Sequence, residues 1–144
     1  MRKSPAKKAF KKVKEKSVSY WKKKAWAVFS KWIRERDNYT CYTCGKQYIG
    51  GHSMQAGHFI SRSHNNTLFD EQNVHAQCYH CNVIKRGNMG EYAFRLIEEL
   101  GNVGFQDLLA RGRDFKQWDV NGLKEIIGIY QYPPNKIDEE NDRR

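Results

Sequence analysis

QAGHFISRSHNNTLFDEQNVHAQCYHCNVIKRGN, residues 55–88, sets His58, His64 and His75 ahead of a Cys78-x-x-Cys81 pair, and Asn82 follows the second cysteine at once. Imidazoles, thiols and amides are metal ligands and proton-transfer groups, so a stretch this dense in them asks for a site. A second pair, Cys41-x-x-Cys44-Gly45, lies upstream. Together the pairs offer four thiolates, the ligand set of a tetrahedral structural zinc. Gly45 suits the tight turn that aims backbone N–H groups at sulfur. A four-cysteine site leaves no open position for water, so it staples the fold and does not react. Any chemistry belongs to the 33 residues between Cys44 and Cys78, more than a simple zinc ribbon needs. No thioredoxin-like βαβ pattern surrounds either pair, which argues against a redox role.

Outward from this segment, composition sets the scale. A chain of 144 residues holds one compact domain, or a small domain plus an arm. With 39% hydrophobic residues and a mean hydropathy of −0.88, the core is small and needs a staple. The formal net charge is +10, which favours a polyanionic partner such as nucleic acid over simple solubility. The charge is clustered: Met1 to Lys24 carries eleven Lys or Arg against one acid, Glu15. No apolar run of signal-peptide or membrane-span length accompanies them. The expectation is an intracellular, cytoplasmic protein with reduced thiols and no membrane partner.

Along the chain, residues 1–20 read as a basic flexible arm. Trp21, Ala25, Val28, Phe29, Trp32 and Ile33 recur at three- and four-residue spacing and predict an amphipathic helix over about 20–36, its other face carrying Lys22, Lys23, Lys31, Arg34 and Arg36. Residues 40–87 lack helical periodicity and predict short strands and loops, with a helix starting near Cys78-x-x-Cys81. Met89, Tyr92, Ala93, Leu96, Ile97 and Leu100 predict a helix stopped by Gly101. "VGFQDLLARG" predicts a short helix, and Leu123, Ile126, Ile127 and Tyr130 a last one. Residues 133–144 form a polar tail. The fold class expected is α+β: a zinc-stapled core over about 40–87, helices over about 88–132, and a domain spanning 21–132.

Hydrolysing a phosphodiester needs a base for water and a counter-charge for phosphorus. A neutral imidazole takes a proton near pH 7, and a hard divalent cation on oxygen or imidazole ligands neutralises the developing charge. His58, between the two cysteine pairs, and Asn82, directly after the last cysteine, suit these two tasks. With Gly57-His58, Asn73 and Cys78-x-x-Cys81-Asn82 in place, the segment resembles the HNH nuclease motif in its ββα-metal form. "AGHFISR…LFDEQNVHAQCYHCNVIKRGN", with "AWAVFSKWIRERD" before the first cysteine pair, is similar to the phage NinG (Rap) family of recombination nucleases acting on branched DNA such as Holliday junctions and D-loops. Some members of that family carry a further cysteine-rich N-terminal segment; here only the basic arm stands there.

The resemblance implies a small ββα core and a phage or prophage protein in a bacterial host. It makes His58 the general base at the end of a first strand, Asn73 the brace of the loop, and Asn82 a ligand of a catalytic Mg²⁺ or Mn²⁺. Many HNH enzymes place Asp or His immediately before the catalytic histidine as a metal ligand; here that residue is Gly57, and Asp70 and His75 are the substitutes considered. His52, His64 and His80 read as loop residues. Arg62, Lys85 and Arg86 beside the site, with Lys22, Lys23 and Lys24 on the helix and arm, are the candidate phosphate contacts, each otherwise an ordinary solvated charge. Paired cuts on a junction suggest a homodimer. Two other readings explain part of the same pattern: a zinc-stapled DNA-binding module without catalysis, and a less selective, restriction-type HNH nuclease.

Overall fold

The computed structural model describes residues 13–48 and 53–134. Most of the basic arm, His52 and most of the polar tail therefore lie outside the described residues. The elements run α1 (Val18–Arg36), β1 (Met54–His58), a short 3-10 turn (Asn65–Thr67), β2 (Val74–Cys78), a wide helical turn (His80–Ile84), α2 (Met89–Arg113) and α3 (Val120–Tyr130). This is a mixed α+β protein with one two-stranded sheet among the described residues. No helix among the described residues is long and apolar enough to cross a membrane.

Helix α1 begins where Ser17 accepts a hydrogen bond from the Tyr20 N–H, a side-chain cap for one of the first unpaired donors. Its buried stripe, Ala25, Phe29, Trp32 and Ile33, packs with Leu68, Phe69, Val74 and Leu123, so α1 lies between the sheet and α3. The Gly101 break arrives as the sequence predicts, with φ +70°. The two helical stretches on either side follow directly, however, with no linker, and form α2.

Strands β1 and β2 are antiparallel, pairing Met54 with Cys78, Gly57 with His75 and His58 with Val74. A lone two-stranded sheet is marginal in water, and this one is held from outside. On the free edge of β2, Arg36 donates to the Val74 carbonyl at 3.0 Å, Asp37 accepts from the Ala76 N–H at 2.7 Å, and the Tyr42 N–H donates to the Ala76 carbonyl at 2.8 Å. These bonds satisfy backbone groups that a bare edge would leave open.

Candidate active site and zinc centre

The cysteine pairs meet at one end of the sheet. The four Sγ atoms of Cys41, Cys44, Cys78 and Cys81 lie within 4.8 Å of one another, with Cys44 and Cys78 Sγ 3.8 Å apart. Ligands at about 2.3 Å in a tetrahedron stand about 3.8 Å from each other, so the spacing fits zinc. Gly45, at φ +76°, closes the first knuckle through its N–H to the Cys41 carbonyl at 2.8 Å, and Cys81 N–H points at Cys78 Sγ at 3.4 Å. Burial raises the Cys41 thiol, but hydrogen bonds from the Thr43 side chain and the Cys78, Cys44 and Thr43 backbones outweigh it and bring it down to about 6. Cys44 is pushed up to about 12 by burial first, against a lowering hydrogen bond from the Lys46 backbone, with hydrogen bonds from Cys41 and Cys81 and the Cys41 charge adding to the rise. Four thiols this close ionise together only around a cation.

His58 ends β1. Its ring stacks on Trp26 of α1, centroids 4.8 Å apart at 22°, and Nε2 lies 3.0 Å from the Leu68 carbonyl oxygen. A carbonyl only accepts, so Nε2 carries the proton and Nδ1 is left as the acceptor. Burial lowers the His58 pKa below 6.5; the Leu68 carbonyl opposes this and the nearby Arg62 charge adds to it. The ring is therefore neutral at pH 7, the state a general base needs. Asn82 stands on the His80–Ile84 turn, where its Nδ2 donates to Gln55 Oε1 at 2.7 Å. His58 and Asn82 line one open cleft of about 320 Å³, together with Trp26, Ser61, Arg62 and Met89.

Asn73 is fully buried. Its Oδ1 accepts from the Ile60 N–H at 2.7 Å, and its Nδ2 donates to the carbonyls of Ile60 and Thr67, both at 3.0 Å. It ties together the two ends of the loop that follows His58. Asn73→Ala orphans these buried backbone groups and is expected to destabilise the fold by roughly 2–4 kcal/mol. A melting curve reads this as a drop on the order of 10 °C.

Two of the residues considered for the metal are placed elsewhere. Asp70 accepts from Arg111 Nε at 2.9 Å and caps the Gln72 N–H. His75 is buried on the far side of the sheet, stacked on Tyr42 at 3.8 Å and 3.1 Å from the Tyr92 hydroxyl. Burial, reinforced by Arg36, takes His75 down to about 4 despite Asp37, Glu99 and Asp70, so its 3.7 Å approach to Glu99 is not an ion pair at neutral pH. Neither residue lines the cleft of His58 and Asn82. His64 is exposed and anchors the loop through Nδ1 to the Gly112 carbonyl at 3.0 Å, and His80 is exposed at the start of the wide turn.

Of the basic residues, Arg62 lies in the cleft and over the Trp26 ring at 5.4 Å. Lys22 and Lys23 line an adjoining groove of about 600 Å³, which shares Trp26 and Arg62 with the cleft. Lys24 faces Tyr20, and Lys85 and Arg86 are exposed beyond the wide turn. Sequence patterns do not single out Trp26 or Gln77. The tryptophan falls off the apolar stripe on the lysine-rich face, and that mismatch is the available signal; for Gln77 there is none.

The polar cleft joins a basic groove, and a four-thiol cluster that could hold a metal such as zinc stands at the end of the same sheet. The family model described as "Bacteriophage Lambda NinG protein" matches residues 1–140, and the chain belongs to that family. The chain is 35% identical to Protein ninG of Salmonella phage P22 over 115 residues, covering 78% of this chain and 55% of that protein. It is 34% identical to Protein ninG of Escherichia phage 933W, covering 78% and 56%, and 33% identical to Protein ninG of Escherichia phage lambda, covering 78% and 55%. The chain thus spans about half the length of the curated relatives it matches. No solved structure matches it.

Proposed function

We propose that the chain is a metal-dependent DNA endonuclease of the HNH, ββα-metal kind, selective for branched recombination intermediates such as Holliday junctions and D-loops. The observation that carries this reading is the shared cleft: a neutral His58, its Nε2–H held by the Leu68 carbonyl and its Nδ1 without a partner among the described residues, beside the Asn82 amide. His58 Nδ1 takes a proton from water as the water oxygen bonds to phosphorus. The P–O3′ bond breaks, leaving a 5′-phosphate and a 3′-hydroxyl once the departing oxygen gains a proton from solvent. A divalent cation bound at this site supplies charge neutralisation for the phosphorane and the leaving oxygen. Asn82 offers the amide oxygen for it, Arg62 sits where a flanking phosphate passes, and the zinc centre is structural.

The groove of Lys22 and Lys23 continues the cleft and would track the phosphate backbone without reading bases. Replacing Lys22, Lys23 and Arg62 by Ala should weaken junction binding, and should flatten the dependence of log affinity on log salt by about 0.9 for each phosphate no longer neutralised. Filter binding across a salt series measures it. Unchanged slopes would move the DNA off this groove. Paired cuts on a junction would need two copies, and the bacterial cytoplasm would be the place of action.

The test of the reading is cleavage of a labelled four-way junction and its matched linear duplex with Mg²⁺, Mn²⁺ or EDTA. Junction cutting that needs metal supports it, and equal cutting of both substrates would point to a less selective nuclease. Tight binding without cutting in any metal would leave a zinc-stapled DNA-binding module.

A further inference from the structure

Gly57 immediately precedes His58, and the space its missing side chain vacates is shaped by two amides. Gln77, on β2, is fully buried. Its Nε2 donates to the Gly87 carbonyl at 2.9 Å and to Thr43 Oγ1 at 3.2 Å, and Thr43 Oγ1 in turn lies 3.4 Å from Cys41 Sγ. These bonds fix which way the amide faces. Among the described residues Gln77 Oε1 is left buried with no hydrogen-bond partner, an arrangement that folded proteins avoid unless something else meets the atom. A Cβ on residue 57 would overlap Gln77 Oε1 and would stand 2.9 Å from Asn82 Oδ1. Asn82, too, has its amide nitrogen engaged, by Gln55. Two amide oxygens therefore face the space beside the Gly57 Cα, and among the described residues the Gln77 oxygen meets no donor there.

We propose that Gln77 Oε1 joins Asn82 Oδ1 as a ligand of the divalent cation, standing in for the side chain that Gly57 lacks. Converging neutral oxygens are what a hard cation takes, and the inference rests on the nuclease reading above. It also gives Gly57 a reason: any larger residue would collide with the ligand. Through Thr43, the same glutamine ties the cation site to the zinc thiolates, so the staple sets the position of the ligand.

The test is Mn²⁺ binding to the zinc-loaded full chain without DNA, read from the loss of the free-ion paramagnetic resonance signal, with zinc content and a melting curve as checks of folding. Gln77→Ala should weaken Mn²⁺ binding by at least about tenfold. Gly57→Asp added to Gln77→Ala should restore it, because the carboxylate enters the vacated space, whereas Gly57→Asp alone should not. Gln77→Met, which keeps the volume without the oxygen, serves if the alanine variant fails to fold. A folded Gln77→Ala or Gln77→Met that binds Mn²⁺ like wild type would overturn the proposal and leave Gln77 as packing against the Gly57 Cα–H. If wild type cuts DNA while the variants bind as it does, only this inference fails. If wild type binds no Mn²⁺, this inference fails, and if it also cuts no junction in any metal, the nuclease reading fails with it.

Discussion

His58→Ala should lose junction cleavage by a factor of roughly 10²–10⁴, the usual contribution of a positioned general base, while zinc content and junction binding stay near wild type. The loss is chemical because the ring's contacts are few, the Trp26 face and the Leu68 carbonyl, and His58 itself is not a member of the buried cluster around α1. A pH profile of the wild-type rate gives a second reading. Burial lowers the His58 pKa, so the base form is present throughout the neutral range. The rate should reach its plateau at a lower pH than an exposed imidazole would give, and should fall as acid carries the ring through its folded pKa. A profile that instead rises steeply between about pH 7 and 9 would assign the base to another group. Single-turnover cleavage with saturating protein separates either result from a change in binding.

The second large effect is on the fold. Stripping zinc with a chelator, or replacing Cys81 by Ser, should unfold the domain. Structural zinc contributes roughly 10–16 kcal/mol in zinc-finger peptides, against a total domain stability of about 5–15 kcal/mol. The local architecture magnifies the loss. Cys78 ends β2, Cys81 lies in the turn that carries Asn82, and Thr43 couples the first knuckle to Gln77. Circular dichroism during chelation, followed by zinc addition, should show cooperative loss and recovery of helix and sheet. Retention of the native spectrum without zinc would make the thiol cluster dispensable.

The parts of this protein that local patterns encode are legible in its sequence. Cysteine spacing points to the thiol cluster, because an x-x gap constrains the chain within one turn. The Ala25, Phe29, Trp32, Ile33 stripe points to α1, since burial follows a 3.6-residue period, and Gly101 marks the break in α2. Placing His58 beside Asn82 needs the family resemblance as well, for no periodicity links residues on different elements. What stays hidden is long-range polar pairing. Asp70 and His75 look free to bind metal, and only the fold sends one to Arg111 and the other behind the sheet to Tyr42 and Tyr92. Gln77 carries no pattern at all; its meaning comes from Gly57 across the strand pair and Thr43 across the knuckle.

The central claim is that the cleft beside Trp26 holds a phosphodiesterase base, and chemical rescue tests it most directly. His58→Gly leaves a ring-sized gap between Trp26 and the Leu68 carbonyl. Single-turnover cleavage of a labelled four-way junction in Mg²⁺ should be near background for this variant and should return in proportion to added imidazole. A variant that cuts at the wild-type rate without imidazole would contradict the claim.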